Sequence, residues 1–374
     1  MTGLLAATAF VGVARADIAV TSNDGHTVLD AAGNQVAAAG KDTVSVIDLK
    51  GAPRVLATID APGSVVGPPM AVAVAPDESY AIVTGATRAE PSGQFGIAPD
   101  DKVSVIDLTV NPPRVVQSLT AGAGATTVRI SPDGTLALVA NRAAGTVSVF
   151  SIKDRRLTAA GTVMIDPKSM PSGLAFLPDG KTALLSRYGD HQVAVLRMDG
   201  TKVTIDKRPI TTALSPYTLD ITRDGKLAAV GNMGRGDGDA DTVSLIDLSA
   251  EPFRTVQTLQ VGRSPEGLKW SPDGRFLAIG SQNGTGKPAD SPFYQPHGRL
   301  IMLALKGKTL APVAEAPVGR WSQGIVFSRD GKTLLIEDMV ERDILVLGWN
   351  GRSLTPKGKM TFPNGPAAIQ TPWQ

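Results

Sequence analysis

Apolar residues in this chain fall into short runs, and the runs recur in a fixed order. Each copy begins with a Pro or Gly and a short apolar run, as in PSGLAF (171–176) and SPEGLKW (264–270). A turn phrase follows: APDE (75–78), SPDG (131–134), LPDG (177–180), TRDG (222–225), SPDG (271–274) and SRDG (328–331). A second run comes next, spelled LALVAN (136–141), TALLSR (182–187), LAAVGN (227–232), FLAIGS (276–281) and TLLIED (333–338). After a polar segment of variable length stands an alternating run. Its copies are TVSVIDL (43–49), KVSVIDL (102–108), TVSVFSI (146–152), QVAVLRM (192–198), TVSLIDL (242–248), RLIMLAL (299–305) and DILVLGW (343–349). A fourth run closes the copy, as in RVLATI (54–59), RVVQSL (114–119) and RTVQTL (254–259).

Runs rich in Val, Ile, Leu and Thr, bounded by Gly, Pro, Asp and Asn, predict strands. Pro presets φ for the first turn position, and the Gly after Asp supplies the positive φ of a tight hairpin. No segment carries a helical period with caps. Four strands in a repeat of about 40–57 residues predict a β-propeller blade. Seven alternating runs stand beside six turn phrases, and the missing first strand lies at the far end of the chain. PAAIQTP (366–372) reads as strand one of a blade whose strand two is DIAVTSN (17–23). The fold class expected is therefore all-β: a seven-bladed propeller of four-stranded antiparallel blades over residues 17–374, its first blade closed by the C-terminal strand. Closure of this kind removes exposed sheet edges.

Composition agrees with a turn-rich β protein, with Gly 40 and Pro 27 among 374 residues. Lys+Arg 37 against Asp+Glu 35 leaves little bulk charge to attract nucleic acid. The absence of cysteine excludes disulfides, thiolate metal sites and a Cys nucleophile. Leu4 to Val13 is apolar and is followed by Ala14-Arg15-Ala16, which reads as a signal peptide over residues 1–16 with cleavage before Asp17. A periplasmic or secreted monomer is expected. No run approaches the ~20 apolar residues of a spanning helix.

The SPDG turns, the strand-two endings Val139-Ala140-Asn141 and Val230-Gly231-Asn232, and the TVSVIDL strands resemble the YVTN-repeat β-propellers, and among them the YncE-like exported bacterial proteins. The resemblance covers residues 17–374 and implies the fold. It spans several functions, lactone hydrolysis, DNA binding and plain binding among them, so function must be read from the site.

With the turn phrases on one face, the bottom, the connections between strands two and three open on the other, the top. Long top connections are expected at Asn23–Lys41, Gly85–Asp101, Asn232–Asp241 and Gln282–Gly298. Variable loops on a rigid ring are the expected binding surface. Arg142, Arg187 and Arg235 follow strand two of blades three, four and five, while Arg263 and Arg320 precede strand one of blades six and seven. Together they could take a carboxylate or phosphate, or they could pair with Glu266, Glu337, Asp338 or Glu341. Trp321 and Tyr188 are candidate stacking partners for a ligand. His26, His191 and His297 lie in top-side segments, too far apart around the ring for a joint metal site. Asp237, Asp239 and Asp241 alternate as Ca²⁺ ligands can, yet their loop lacks the Gly and Glu of an EF-hand. No cofactor is expected, and no local catalytic motif can be read.

Three functions remain open. The leading one is an exported scaffold that binds a small anionic ligand or a protein partner on the top face and performs no chemistry. The alternative is a lactonase-like hydrolase, with His191 or His297 as base, Glu266 or Glu337 orienting it, and arginines holding the anion. The third, implied by the resemblance, is single-stranded DNA binding on Tyr188, Phe293, Tyr294 and Trp321.

Overall fold

A computed structural model describes residues 17–372. The expected signal peptide, residues 1–16, lies outside the described residues. The described residues form seven four-stranded antiparallel blades, blade 4 carrying an additional short strand at its outer edge, with no α-helix among them. Blade 1 runs from the inner strand Gly365–Gln370 through Ile18–Asp24 and Thr43–Asp48 to Arg54–Asp60. The inner strands of blades 2 to 7 are Val72–Val74, Ala125–Ile130, Pro171–Phe176, Pro216–Ile221, Pro265–Trp270 and Ser322–Phe327. Each packs against the next, and Ser322–Phe327 meets Gly365–Gln370, so the ring closes. The closure is the one expected from the sequence: Ile369 stands opposite Thr21, and Ala368 opposite Ser22.

Burial explains the repeating runs. Strands one to three are buried on both faces, as in Ala125–Ile130 and Leu136–Asn141, because each blade is sandwiched between two others. The fourth strand, such as Arg114–Thr120, alternates between exposed and half-buried positions because nothing covers its outer edge. The alternation of the third strand has a different origin. Asn141, ending strand two of blade 3, donates from Nδ2 to Thr146 Oγ1 (2.9 Å) and Ser148 Oγ (2.9 Å). Asn232 does the same to Thr242 (3.1 Å) and Ser244 (3.0 Å), and Asn23 to Thr43 (3.1 Å) and Ser45 (3.1 Å). The hydroxyl side of the T-V-S phrase is therefore a buried hydrogen-bonding face rather than a wet one.

The bottom turns are built alike. Ser131 Oγ donates to Asp133 Oδ1 (2.5 Å) and accepts the Leu136 N–H (2.9 Å), while Gly134 takes φ 73°. In blade 2 the same left-handed position is held by Glu78, at φ 64°. Between blades, clusters such as Ile82, Val105, Val128, Val139 and Phe150 form the core. At the closing seam, Ile47 and Leu49 of blade 1 pack on Val326, Leu335 and Ile344 of blade 7.

Candidate functional site

The top ends of the inner strands share a device. The register slips between Ala125 and Thr127, Pro171 and Leu174, Pro216 and Leu219, Pro265 and Gly267, and Ser322 and Ile325. Such a bulge re-aims one side chain per strand. The second position of these strands reads Thr126, Ser172, Tyr217, Glu266 and Gln323, polar or aromatic among apolar neighbours. In the P-x-G phrases the third position must be small. A Cβ on Gly173 would lie 2.3 Å from the Tyr217 carbonyl oxygen, and one on Gly267 would lie 2.1 Å from that of Gln323. Met170, Ser215, Ser264 and Trp321, at or just before the strand starts, all hold positive φ. Backbone strain of this kind concentrates at sites that fix side chains for function.

Four blades meet here through Arg142. Its guanidinium leaves strand two of blade 3 and donates to Ser172 Oγ of blade 4. It lies 4.4 Å from the Tyr188 ring centroid and 5.5 Å from that of Tyr217 in blade 5. Tyr188 and Tyr217 pack edge to face, with centroids 5.7 Å apart. Beyond them Glu266 of blade 6 is buried and accepts from Gln282 Nε2, with Tyr217 beside it. Burial pushes the Glu266 carboxyl up to about 8, against the pull of Gln282, Arg142 and Tyr217. Burial, with Glu266 beside it, raises Tyr217 well above its ordinary range. The cluster thus holds one cation, two rings packed edge to face and a carboxyl whose conjugate base is unusually basic.

The other predicted residues go elsewhere. Arg187 pairs with Asp190 on its own turn. Arg320 pairs with Glu341 (2.7 Å), and Arg263 donates to the carbonyls of Gly238 (2.9 Å) and Phe293 (3.1 Å). Arg235 is exposed on the Asn232–Asp241 connection. Trp321 offers no open stacking face: it is buried against Val65, Met339 and Ala367, beneath Leu29. Leu29 belongs to a hairpin, Thr27–Leu29 with Gln35–Ala37, that arises in the long Asn23–Lys41 connection. At its tip Gly33 abuts Gly286 of blade 6, where an added Cβ would lie 2.1 Å from the carbonyl oxygen.

His191 and His297 are exposed, and His191 Nδ1 accepts the Ser215 N–H (3.1 Å). Neither histidine joins the Arg142 cluster through any hydrogen bond among the described residues. Glu337 is buried in the blade 7–blade 1 seam, where it accepts from Thr21 Oγ1 (2.6 Å) and the Gly324 N–H (2.9 Å). Asp237 and Asp239 are exposed, while Asp241 turns inward to accept the Ser264 N–H (2.7 Å). Their oxygens do not gather as a metal site would. Asp24, His26 and Asp42 do gather, with His26 Nδ1 2.7 Å from Asp42 and Nε2 3.1 Å from Thr87. Both Asp24 oxygens are already taken by backbone N–H groups of His26, Thr27 and Val65, which makes this group a brace for the hairpin's base.

Sequence reasoning missed Tyr217, Gln282 and Ser172. For Ser172 and Tyr217 the signal was present in the column formed by PSGL, PYTL, PEGL and SQGI, whose second position differs in every copy, reading Ser, Tyr, Glu and Gln.

Residues 103–215 match the family model described as "Lactonase, 7-bladed beta-propeller", a span that includes Arg142, Ser172 and Tyr188. No curated protein matches the chain in sequence. A putative 6-phosphogluconolactonase from Bacteroides uniformis is 16% identical, with a TM-score of 0.74 over 96% of this chain and 99% of that one. A periplasmic gluconolactonase from Pseudomonas aeruginosa is 17% identical, with a TM-score of 0.69 over 95% and 98%. A functionally unknown protein from Desulfotomaculum acetoxidans is 15% identical, with a TM-score of 0.71 over 95% and 98%. At such identities the structures speak for the fold. The family match corrects the leading sequence-based expectation. A scaffold without chemistry gives way to the lactonase-like alternative, because the matched span carries the arginine and tyrosine of a cluster that also holds a strongly basic carboxylate.

Proposed function

We propose that the protein hydrolyses lactones at the top of its channel. The observation that carries this is the Arg142–Tyr188–Tyr217–Glu266 cluster, part of which falls inside the lactonase match. Ring opening of a lactone needs three things. A water must lose a proton as it attacks the carbonyl carbon. The resulting oxyanion must be stabilised. The ring oxygen must gain a proton as the C–O bond breaks.

Arg142 supplies the second requirement. Its guanidinium is held by Ser172 and the two tyrosine rings with donors to spare, and a fixed cation beside a developing oxyanion lowers the barrier. Glu266 supplies the other two. As a carboxylate it takes the proton of the attacking water. As an acid it returns that proton to the departing ring oxygen, giving a hydroxy acid. A group titrating near 8 suits both roles near neutral pH. The base is thus a glutamate, in place of the histidine expected from sequence.

A periplasmic or exported location belongs to the same proposal. It is supported by the apolar run ending in Ala14-Arg15-Ala16. Kinship with the YVTN-type repeats is likewise proposed, on the SPDG and TVSVIDL phrases.

The test is initial-rate measurement of proton release on a panel of aldonic-acid lactones, corrected for spontaneous opening. Purified protein is expected to accelerate at least one of them. Arg142→Ala is expected to lose about 100- to 1,000-fold in kcat/KM. A lactone-active protein whose Arg142→Ala variant kept full rate would remove Arg142 from the mechanism, and no acceleration on any lactone would remove the function.

A further inference from the structure

The channel has a second end, at the face of the SPDG turns. A cavity of about 60 Å³ opens there, walled by Arg129, Asp220, Arg223, Lys269, Trp270 and Gln370 among others. Arg129 comes from the inner strand of blade 3, Asp220 from blade 5 and Lys269 from blade 6. None of them takes part in the top-face cluster.

Arg129 is buried, 9% exposed, and its Nη1 donates to the carbonyls of Met70 (3.1 Å), Val72 (3.1 Å) and Val128 (2.7 Å). Guanidinium carries five N–H donors. Its Nη2 and Nε make no hydrogen bond to any described residue. These donors belong to a side chain on the cavity wall and have no protein acceptor, so they are open to a ligand that supplies one. The one carboxylate nearby is already engaged: Asp220 Oδ2 accepts the Trp270 N–H (2.9 Å), and Oδ1 lies 3.4 Å from Lys269 Nζ. Three cations therefore face one anion. Burial lowers Arg129 to about 10, which still leaves it charged at neutral pH. Donors and positive charge without matching acceptors are the chemistry that recognises an oxyanion.

We propose that this bottom cavity seats a small oxyanion, a carboxylate or phosphate group, on the free donors of Arg129 with Lys269 and Arg223 completing the cradle. A cavity of this size admits the anionic group and leaves any larger remainder outside. The site lies at the opposite end of the channel from Arg142, so it stands or falls independently of the lactonase proposal.

The test is thermal unfolding of the full chain in inorganic phosphate and in acetate, each against chloride at matched ionic strength. At tenfold saturation the wild type is expected to gain on the order of 2 °C in one or both oxyanions. A gain in phosphate identifies a phosphate seat and a gain in acetate a carboxylate seat. The Lys269→Gln/Arg223→Gln double variant is expected to lose the gain, while Arg142→Ala keeps it. Arg223 is exposed, so the single Arg223→Gln variant supplies the comparison if the double variant does not fold. No gain in either oxyanion would overturn the proposal. So would a gain undiminished in the Lys269 and Arg223 variants, or one lost only in Arg142→Ala.

Discussion

Two buried glutamates with the same raised titration show how much position decides. Glu266 and Glu337 are both pushed to about 8 by burial. Glu266 touches Tyr217, Gln282 and the field of Arg142, groups drawn from the rim of several blades. Glu337 touches Thr21 and the Gly324 backbone inside the closing seam, and no group there can polarise a substrate. Glu337 therefore acts on stability. Below its ordinary value of 4.5 it is protonated in both folded and unfolded chains, and its full contribution is present. Between 4.5 and about 8 the unfolded chain has released the proton while the fold retains it, so stability falls as pH rises, levelling off above 8. Glu337→Gln cannot titrate and keeps the shape. Its melting temperature is expected to decline less between pH 5 and pH 8 than that of the wild type, and an unchanged decline would assign the pH dependence to other groups. Sequence named both glutamates as candidates but could not separate them, because the distinction lies in neighbours remote along the chain: Thr21 is on the other side of the closure.

At the scale of the strand, the sequence was most informative and also misleading in one respect. The runs of LALVAN, TVSVFSI and their copies gave strand order, blade number and the tail-to-head closure, because alternation and turn chemistry are local. An alternating run ordinarily signals one wet face. Here the polar positions Thr146 and Ser148 are buried and serve Asn141. The strand-two Asn and the T-V-S phrase are two halves of one clamp that holds strand two to strand three at its top end, just before the chain departs into the rim. Asn141→Ala would leave two buried hydroxyls without their donor, and is expected to cost about 1–3 kcal/mol in denaturant unfolding. A cost below about half a kcal/mol would mean that the hydroxyls find other partners. The bulges at the starts of the inner strands were not legible. A bulge adds one residue without changing composition, and only the column of Ser172, Tyr217, Glu266 and Gln323 betrays it.

The site exists only at the scale of the whole ring. Arg142 belongs to blade 3, Tyr188 and Ser172 to blade 4, Tyr217 to blade 5, and Glu266 and Gln282 to blade 6. No segment of the chain contains the constellation. That is why no local motif marks the site, and why five arginines that share a rim in sequence part company in space. One is held free by stacking. Arg187 and Arg320 are neutralised by neighbouring carboxylates, Arg263 is bound to backbone carbonyls and Arg235 is exposed. Closure by Gly365–Gln370 holds the seven inner strands at fixed separation, so the bulged side chains meet at the top mouth and Arg129, Asp220 and Lys269 meet at the bottom. The central claim is that Glu266, raised by burial in this ring, moves the proton in lactone opening. The most direct measurement is the pH dependence of kcat/KM for an accepted lactone, taken for the wild type and for Glu266→Gln above the spontaneous rate. The account predicts a wild-type rate that climbs with pH and levels off above about 8, and a loss of about 100-fold or more, with no such inflection, in Glu266→Gln. A Glu266→Gln protein with the wild-type rate and profile would contradict it.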